Sequence, residues 1–248
     1  DPGFRDIAPL NPLHEQIFKI QGQVWRSVGL PLLSVWQNGL WDPLEPIHAP
    51  DTTSRAAVQV HMRLNEYRAG AFYISNASDQ QVTLRLQVDG LPGGINPSYI
   101  SVHEVAWTGT SGGHCFPAAL PLAERERESF LVHAPSGMSR QVWFTFHPKD
   151  IPPGDYEGRI VLSGEKKRIE VPLSLKIYPF TFPTQPTLHL GGWDYTDTDA
   201  YSGMTPQNRD KLIAHLREHF VDSPWATSSV MPYESVGVDG DYHPDTSR

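Results

Sequence analysis

Residue types able to do chemistry fall in a few places along this sequence. Trp193, Asp194 and Tyr195 directly follow an apolar run at residues 187–192, and Tyr233 and Glu234 directly follow a second run at residues 226–231. An indole can stack on the face of a sugar ring and carboxylates can bind its hydroxyls, so Trp193, Asp194, Tyr195 and Glu234 form the candidate substrate-binding set. A plainer reading stands beside it, in which Trp193 packs a domain junction and Asp194 caps a turn. Trp25, Trp36 and Trp41 lie close together in sequence. They read as a sugar-binding platform or, as is more usual for aromatics, as core packing.

Other groups are chemically weaker. His103, His114, Cys115 and His133 are metal-ligand types, but their spacing does not bring them together and a site needs convergent ligands. With one cysteine in the chain, neither an internal disulfide nor a CxxC metal cluster can form. Asp239, Asp241 and Asp245 lack the glycine and terminal glutamate of a calcium loop. Asn76-Ala77-Ser78 reads equally as a glycosylation sequon and as turn chemistry. The run Glu124-Arg125-Glu126-Arg127 reads as a solvated face. No catalytic residue, metal site or cofactor is expected within the chain.

The elements that must position these residues are mostly strands. With 23 prolines and 20 glycines in 248 residues, turns are frequent and regular elements short. A formal charge of −8 argues against nucleic acid, whose phosphates require a basic field. No apolar run approaches the ~20 residues needed to span a bilayer. The sequence sets no oligomeric state. Because the chain starts at Asp1 rather than Met, removal of a signal peptide and a secreted or periplasmic location are expected.

Residues 1–56 read as an irregular arm to about residue 16, an alternating strand at 17–25 with Phe18, Ile20 and Val24 on one face, and a covering strand plus loops at 28–50. From residue 57 the β signal is strong. Val58, Val60, Met62 and Leu64 alternate with polar residues, as do Val82, Leu84, Leu86 and Val88, so one face is buried and one is wet. Residues 99–107 form a strand whose parity slips near Glu104, which suggests a bulge. Residues 108–127 read as a long loop. Strands follow at 129–133, 141–147, 156–163 and 168–178. Pro172 in the last implies an edge or a position without a ladder hydrogen bond. Between two of these strands, Pro152-Pro153-Gly154-Asp155 makes a corner, and Tyr156 is expected to cover the end of the sandwich with its hydroxyl on a backbone partner.

Residues 57–178 are therefore an antiparallel β-sandwich, and 179–186 a stiff Pro-rich linker. In 187–248 a strand leads through Thr205 as a helix N-cap and Pro206 as the first helical residue to Leu212, Ile213, Leu216 and Phe220 at helical spacing, then to a second strand. Such a βαβ unit leaves an open sheet edge. The fold class is mainly β: an antiparallel sandwich followed by an incomplete βαβ unit, the start of a (β/α)8 barrel of about 250 residues whose remainder would follow in a longer protein.

Four segments together resemble the N-terminal sandwich of glycoside hydrolases of family 123 and related bacterial barrel proteins. They are Leu64-Asn65-Glu66-Tyr67-Arg68-Ala69-Gly70-Ala71-Phe72 with Ile74-Ser75-Asn76; Arg140-Gln141-Val142-Trp143-Phe144-Thr145-Phe146-His147-Pro148; Pro152-Pro153-Gly154-Asp155-Tyr156-Glu157-Gly158-Arg159-Ile160; and the exit Tyr178-Pro179-Phe180-Thr181-Phe182-Pro183 toward Gly191-Gly192-Trp193. The resemblance implies a sandwich leading into a catalytic barrel that cleaves N-acetylgalactosaminides with help from the substrate's acetamido group, a departure from the usual two-carboxylate scheme. It also implies an adjacent Asp-Glu pair later in the barrel, and no two acidic residues are adjacent in this chain. The expected role is thus the N-terminal accessory portion of a glycoside hydrolase acting on N-acetylhexosamine-type glycans, meeting carbohydrate through the missing barrel. The alternative is a non-catalytic sandwich module that binds glycans or partner proteins.

Overall fold

The computed structural model describes residues 7–8, 10–42, 44–109, 115–165, 167–185, 187–192, 204–225, 238 and 240–241. The chain forms two compact units, one of Arg5–Phe182 and one that contains Pro183–Arg248.

Among the described residues the first regular element is a helix, which replaces the expected strand at 17–25 and begins earlier than the end of the expected arm; residues 7–8 and 10–11 ahead of it are irregular. α1 spans Pro12–Ser27. Asn11 caps it, its side-chain oxygen accepting from the His14 amide at 2.9 Å, and Pro12 occupies the first turn where its missing N–H costs nothing. The alternation of Phe18, Ile20 and Val24 is coincidental, because at helical spacing Phe18, Gly22 and Trp25 line the inward side while Ile20 and Val24 stay exposed. The backbone of α1 lies against Gly137, whose φ is +66°, and a Cβ there would overlap the Phe18 carbonyl. Arg26 fastens the other end by donating to the Ala77 carbonyl and, at 2.7 Å, to Asp79.

Strands follow: β1 Leu33–Trp36, β2 Val58–Leu64, β3 Arg68–Asn76, β4 Val82–Asp89, β5 Ile100–Glu104, β6 Ala106–Gly109, β7 Cys115–Ala119, β8 Arg125–Glu126, β9 Ser129–Ala134, β10 Met138–Phe146, β11 Gly154–Ser163 and β12 Arg168–Thr181. One sheet runs β1-β3-β10-β5, a second β2-β12-β11-β4-β9-β8, and β6 and β7 form a separate hairpin. All pairs are antiparallel except β12 with β2. The expected mainly β, antiparallel architecture is what the chain adopts. Its core lies between the two larger sheets, where Phe72, Ile74, Val142 and Phe144 meet Leu86, Ile160 and Leu173.

Several local expectations hold. The Tyr156 hydroxyl donates to the Pro152 carbonyl at 2.6 Å while the ring packs on the core edge. Pro172 lies just outside the parallel ladder with β2, which begins at Leu173, so its missing N–H breaks no bond on that side. Asn76 is buried, giving its amide to the Gln80 and Ala134 carbonyls and accepting from Ser78. The sequon is turn chemistry and not a glycan acceptor.

Between residues 99 and 127 the structure departs from expectation. The parity slip near Glu104 marks a change of sheet: the chain leaves the four-stranded sheet around Val105 and enters the hairpin at Ala106, and the irregularity in register falls between Ala106 and Trp107. The stretch read as a long loop contains β7 and β8; Arg125 of β8 lies 4.5 Å from the Phe130 ring centroid and Glu126 pairs with Arg85.

In the second unit the described residues include α2, Arg209–Glu218. It begins later than Thr205. The Thr205 carbonyl accepts from the Asn208 amide and the Asn208 side chain accepts from the Thr205 amide, closing a turn ahead of the helix. Residues 187–192 carry no regular strand. The Leu190 and Gly192 carbonyls nevertheless accept from the Ser223 and Trp225 amides, so the segments before and after α2 run in the same direction. The proposed second strand at 226–231 lies outside the described residues.

Gly137→Ala is expected to destabilise the chain by more than about 1 kcal/mol, because alanine suits neither the positive φ nor the space beside Phe18. Thermal unfolding followed by circular dichroism should show a Tm lower by at least about 2–4 °C.

Candidate functional site

Trp193, Asp194, Tyr195 and Glu234, the candidate substrate-binding residues, lie outside the described residues, as do Tyr233, His114, Asp239 and Asp245. The remaining chemistry-bearing groups fall into an ionic cluster, an apolar groove and an aromatic pair on the outer face of the four-stranded sheet.

The ionic cluster is built on Glu104, at the end of β5. Its carboxylate accepts from Arg140 at 3.0 Å and from the backbone amide of His133, and the His133 ring Nδ1 lies 3.2 Å from both oxygens. The Arg140 side chain is almost wholly buried and its guanidinium carbon lies 4.6 Å from the Trp107 ring centroid. These contacts engage the Glu104 carboxylate and tie β5, β9 and β10 together. His103 goes elsewhere: its Nδ1–H donates to the Leu120 carbonyl at 2.9 Å, and burial lowers its pKa, an effect that this bond opposes. Among the described residues no three of His, Cys, Asp and Glu are arranged to hold a metal ion.

The apolar groove, with a volume of about 620 Å³, lies between α1, the hairpin β6–β7 and residues 44–47. Ile17, Phe18, Ile47, Cys115 and Phe116 line it.

The tryptophan group separates. Trp25 and Trp36 are core residues at 2% exposure, whereas Trp41 is 79% exposed. Trp41 sits in the turn Gly39-Leu40-Trp41-Asp42, closed by the Asp42 amide on the Gly39 carbonyl. Its ring meets Trp143 of β10 edge to face, with centroids 5.0 Å apart and planes at 68°. Trp143 is itself 6% exposed and donates from Nε1 to Thr145 Oγ1 at 3.2 Å.

Alternation explains this placement. In β10, Val142, Phe144 and Phe146 enter the core, so Gln141, Trp143 and Thr145 face outward. In register with Trp143 are Ala71 of β3 and His103 of β5; with Thr145, Ala69 and Ser101. Beside the aromatic pair the sheet therefore offers a hydroxyl row of half-buried Thr145 and Ser101.

Hydrogen bonds to this same face hold the turn. Gln141 Nε2 donates to the Leu40 carbonyl at 3.0 Å and to the Tyr73 hydroxyl at 2.8 Å, and Tyr73 donates toward the Gly39 carbonyl at 3.3 Å. Gln37 Nε2 donates to the Ala71 carbonyl at 3.1 Å. Burial, reinforced by the negative charge of Asp42, pushes the Tyr73 phenol up to about 12, so it stays a donor. The arrangement can present a rigid aromatic edge and ring face with hydroxyls nearby, and it contains no nucleophile–base pair. Sequence reasoning grouped three tryptophans by proximity; the signal that singles out Trp41 is the Gly39-x-x-Asp42 turn around it.

Arg140→Ala leaves the Glu104 carboxylate largely buried without its cation, and a loss of about 3 kcal/mol is expected. Urea unfolding should show a lower midpoint with an unchanged slope.

No family model and no curated protein matches the chain. Among solved structures it is similar to a family 123 glycoside hydrolase from Clostridium perfringens, described for glycolipid glycan hydrolysis, with a TM-score of 0.47 and 13% identity over 75% of this chain and 35% of that one. It is also similar to a PapD-like domain of human CEP192, with a TM-score of 0.27 and 16% identity over 57% of this chain and 97% of that domain. A third similarity is to WR4, a C. elegans MSP family member, with a TM-score of 0.26 and 9% identity over 48% and 91% of the two chains. The chain spans about a third of the length of the glycoside hydrolase that it matches.

Proposed function

We propose that this chain is the N-terminal accessory portion of a protein acting on N-acetylhexosamine-type glycans, and that its sandwich contacts the glycan through Trp41. The observation that carries the reading is the Trp41 indole, held in solvent by a turn hydrogen-bonded to the sheet and supported edge to face by Trp143. An exposed tryptophan gains from covering an apolar surface, and the axial C–H face of a pyranose supplies one; the polar edge of the sugar can then meet hydroxyl side chains such as Thr145 and Ser101. The resemblance of four sequence segments, in their order, to family 123 glycoside hydrolases supports the glycan class.

Catalysis belongs, in this proposal, to residues outside the chain. Glu104, a carboxylate of the type that serves as acid or base, is engaged by Arg140 and His133. Trp193, Asp194, Tyr195 and Glu234 are proposed as substrate contacts of the part that follows the linker, and a secreted or periplasmic location belongs to the same proposal.

Isothermal titration of the 248-residue chain with an N-acetylgalactosamine-terminated oligosaccharide should show binding, and Trp41→Ala should weaken it at least about tenfold, or ~1.4 kcal/mol. Unchanged affinity in that variant would remove Trp41 from the site. Incubation with an aryl N-acetylgalactosaminide should release no phenol, and turnover by this chain would overturn the placement of catalysis outside it.

A further inference from the structure

A second exposed surface is not used by this reading. The solvent side of α1 carries Leu13, Ile17, Ile20 and Val24, with Val28 at the C-cap; each is between 49% and 71% exposed. The residues that anchor α1 to the sandwich, Phe18, Gly22 and Trp25, lie on another side. Leu13, Ile17, Ile20 and Val24, separated by four, three and four positions, have the spacing of a seam along which one helix can pack against another.

We infer that α1 is a self-association surface, on which a second copy of this chain lays its own α1 antiparallel. The spacing is the same read in either direction. A two-fold axis passing between Ile17 and Ile20 therefore sets Ile17 against Ile20 of the second copy and Leu13 against its Val24, a large side chain opposite a smaller one. The same axis brings His14 beside Gln21, and Gln16 beside Gln23. These flanks carry no like charges to repel one another, and the amides can bond across the seam. Antiparallel pairing also opposes the two helix dipoles favourably. Covering these four side chains and the flanks beside them on each copy removes on the order of 1,000 Å² of surface in total, the lower end of what a specific interface needs, so the dimer is a weak one.

Two features make α1 a firm support. Gly137 and Gly22 allow backbone to approach backbone where α1 meets the sandwich, and Arg26 ties its last turn to Ala77 and Asp79. The seam is thus presented by a helix already ordered in the monomer, and little ordering cost falls on association. Ile17 also lines the groove beside the β6–β7 hairpin, so apolar surface continues past the seam.

Sedimentation equilibrium of the 248-residue chain from about 1 to about 300 μM should show a reversible monomer–dimer equilibrium. Ile17→Lys combined with Ile20→Lys should raise the dissociation constant at least about a hundredfold with an unchanged circular dichroism spectrum, since both side chains are exposed. Trp41→Ala should leave it unchanged, which separates this surface from the glycan proposal. In a Cys115→Ser background, a Leu13→Cys chain mixed with a Val24→Cys chain should form a disulfide-linked dimer faster than either chain alone. A chain that stays monomeric throughout the range, a dimer indifferent to the two lysines, or faster cross-linking of Leu13→Cys to itself would each overturn the inference.

Discussion

The first unit depends on one constraint: β3 and β10 are buried on both faces. Their inner side chains fill the core between the sheets, which is ordinary for a sandwich. Their outer side chains are also withdrawn from water, and several of them are polar: Tyr73, Ser75, Ser139 and Gln141. A polar group taken out of water without a partner costs about 1–3 kcal/mol, so this face needs a covering layer rich in hydrogen-bonding groups. Residues 37–48 supply it. Gly39, Leu40, Pro46 and His48 turn carbonyls down onto the sheet, where Tyr73, Gln141, the Ser139 amide and the Ser139 hydroxyl meet them. Trp36 joins the same layer through its bond to Ser75 at 2.9 Å and its stack on His48. The position of Trp41 follows, because it sits in a turn whose conformation is dictated by the sheet below it.

A second constraint operates at the end of the core. Glu104 and Arg140 lie on the same parity as Val102 and Val142, which belong to the apolar interior. Continuing each strand by two residues would place apolar side chains there; the chain places an ion pair instead. The charges are tolerated because the carboxylate collects three donors and the guanidinium rests on Trp107, a favourable face for a cation. Arg140 Nε and Ser34 Oγ are the buried side-chain polar atoms without a hydrogen-bond partner among the described residues. The pair fixes where β5 must end relative to β10, and so where the chain leaves the sheet for the β6–β7 hairpin.

What could be read from the sequence divides along physical lines. Strands with one wet face were legible: β2, β4 and most of β12 alternate strictly, since solvent and core each select a residue type. β10 was legible only in part, because burial on both faces removes the contrast that alternation depends on. The alternation of residues 18, 20 and 24 points to a strand, although on α1 Phe18 lies inward and Ile20 and Val24 outward; Asn11-Pro12 is the signal that decides for a helix. The two short strands between residues 108 and 127 owe their existence to partners distant in sequence, with too few residues to impose a period of their own. Trp41 could not be told from Trp25 and Trp36 by type, since exposure is decided by which turn carries the indole.

The two surfaces that remain open share a physical origin and differ in what they can receive. Trp41 is a single aromatic held by carbonyl and amide bonds to a sheet, so its ring loses little freedom on meeting a ligand, and a small rigid face suits a ring of similar size. The seam of α1 is long, aliphatic and flanked by His14 and three glutamines, which gives shape and periodicity but little charge code for a particular foreign partner. Such a surface is met best by another helix of the same period, and an identical chain always supplies one. The glycines that clamp α1 to the sandwich serve both ends of this argument: they bury one side of the helix so closely that the other side cannot turn inward to hide its leucine, isoleucines and valine. The apolar stripe is left in water by the same packing that makes the helix stable.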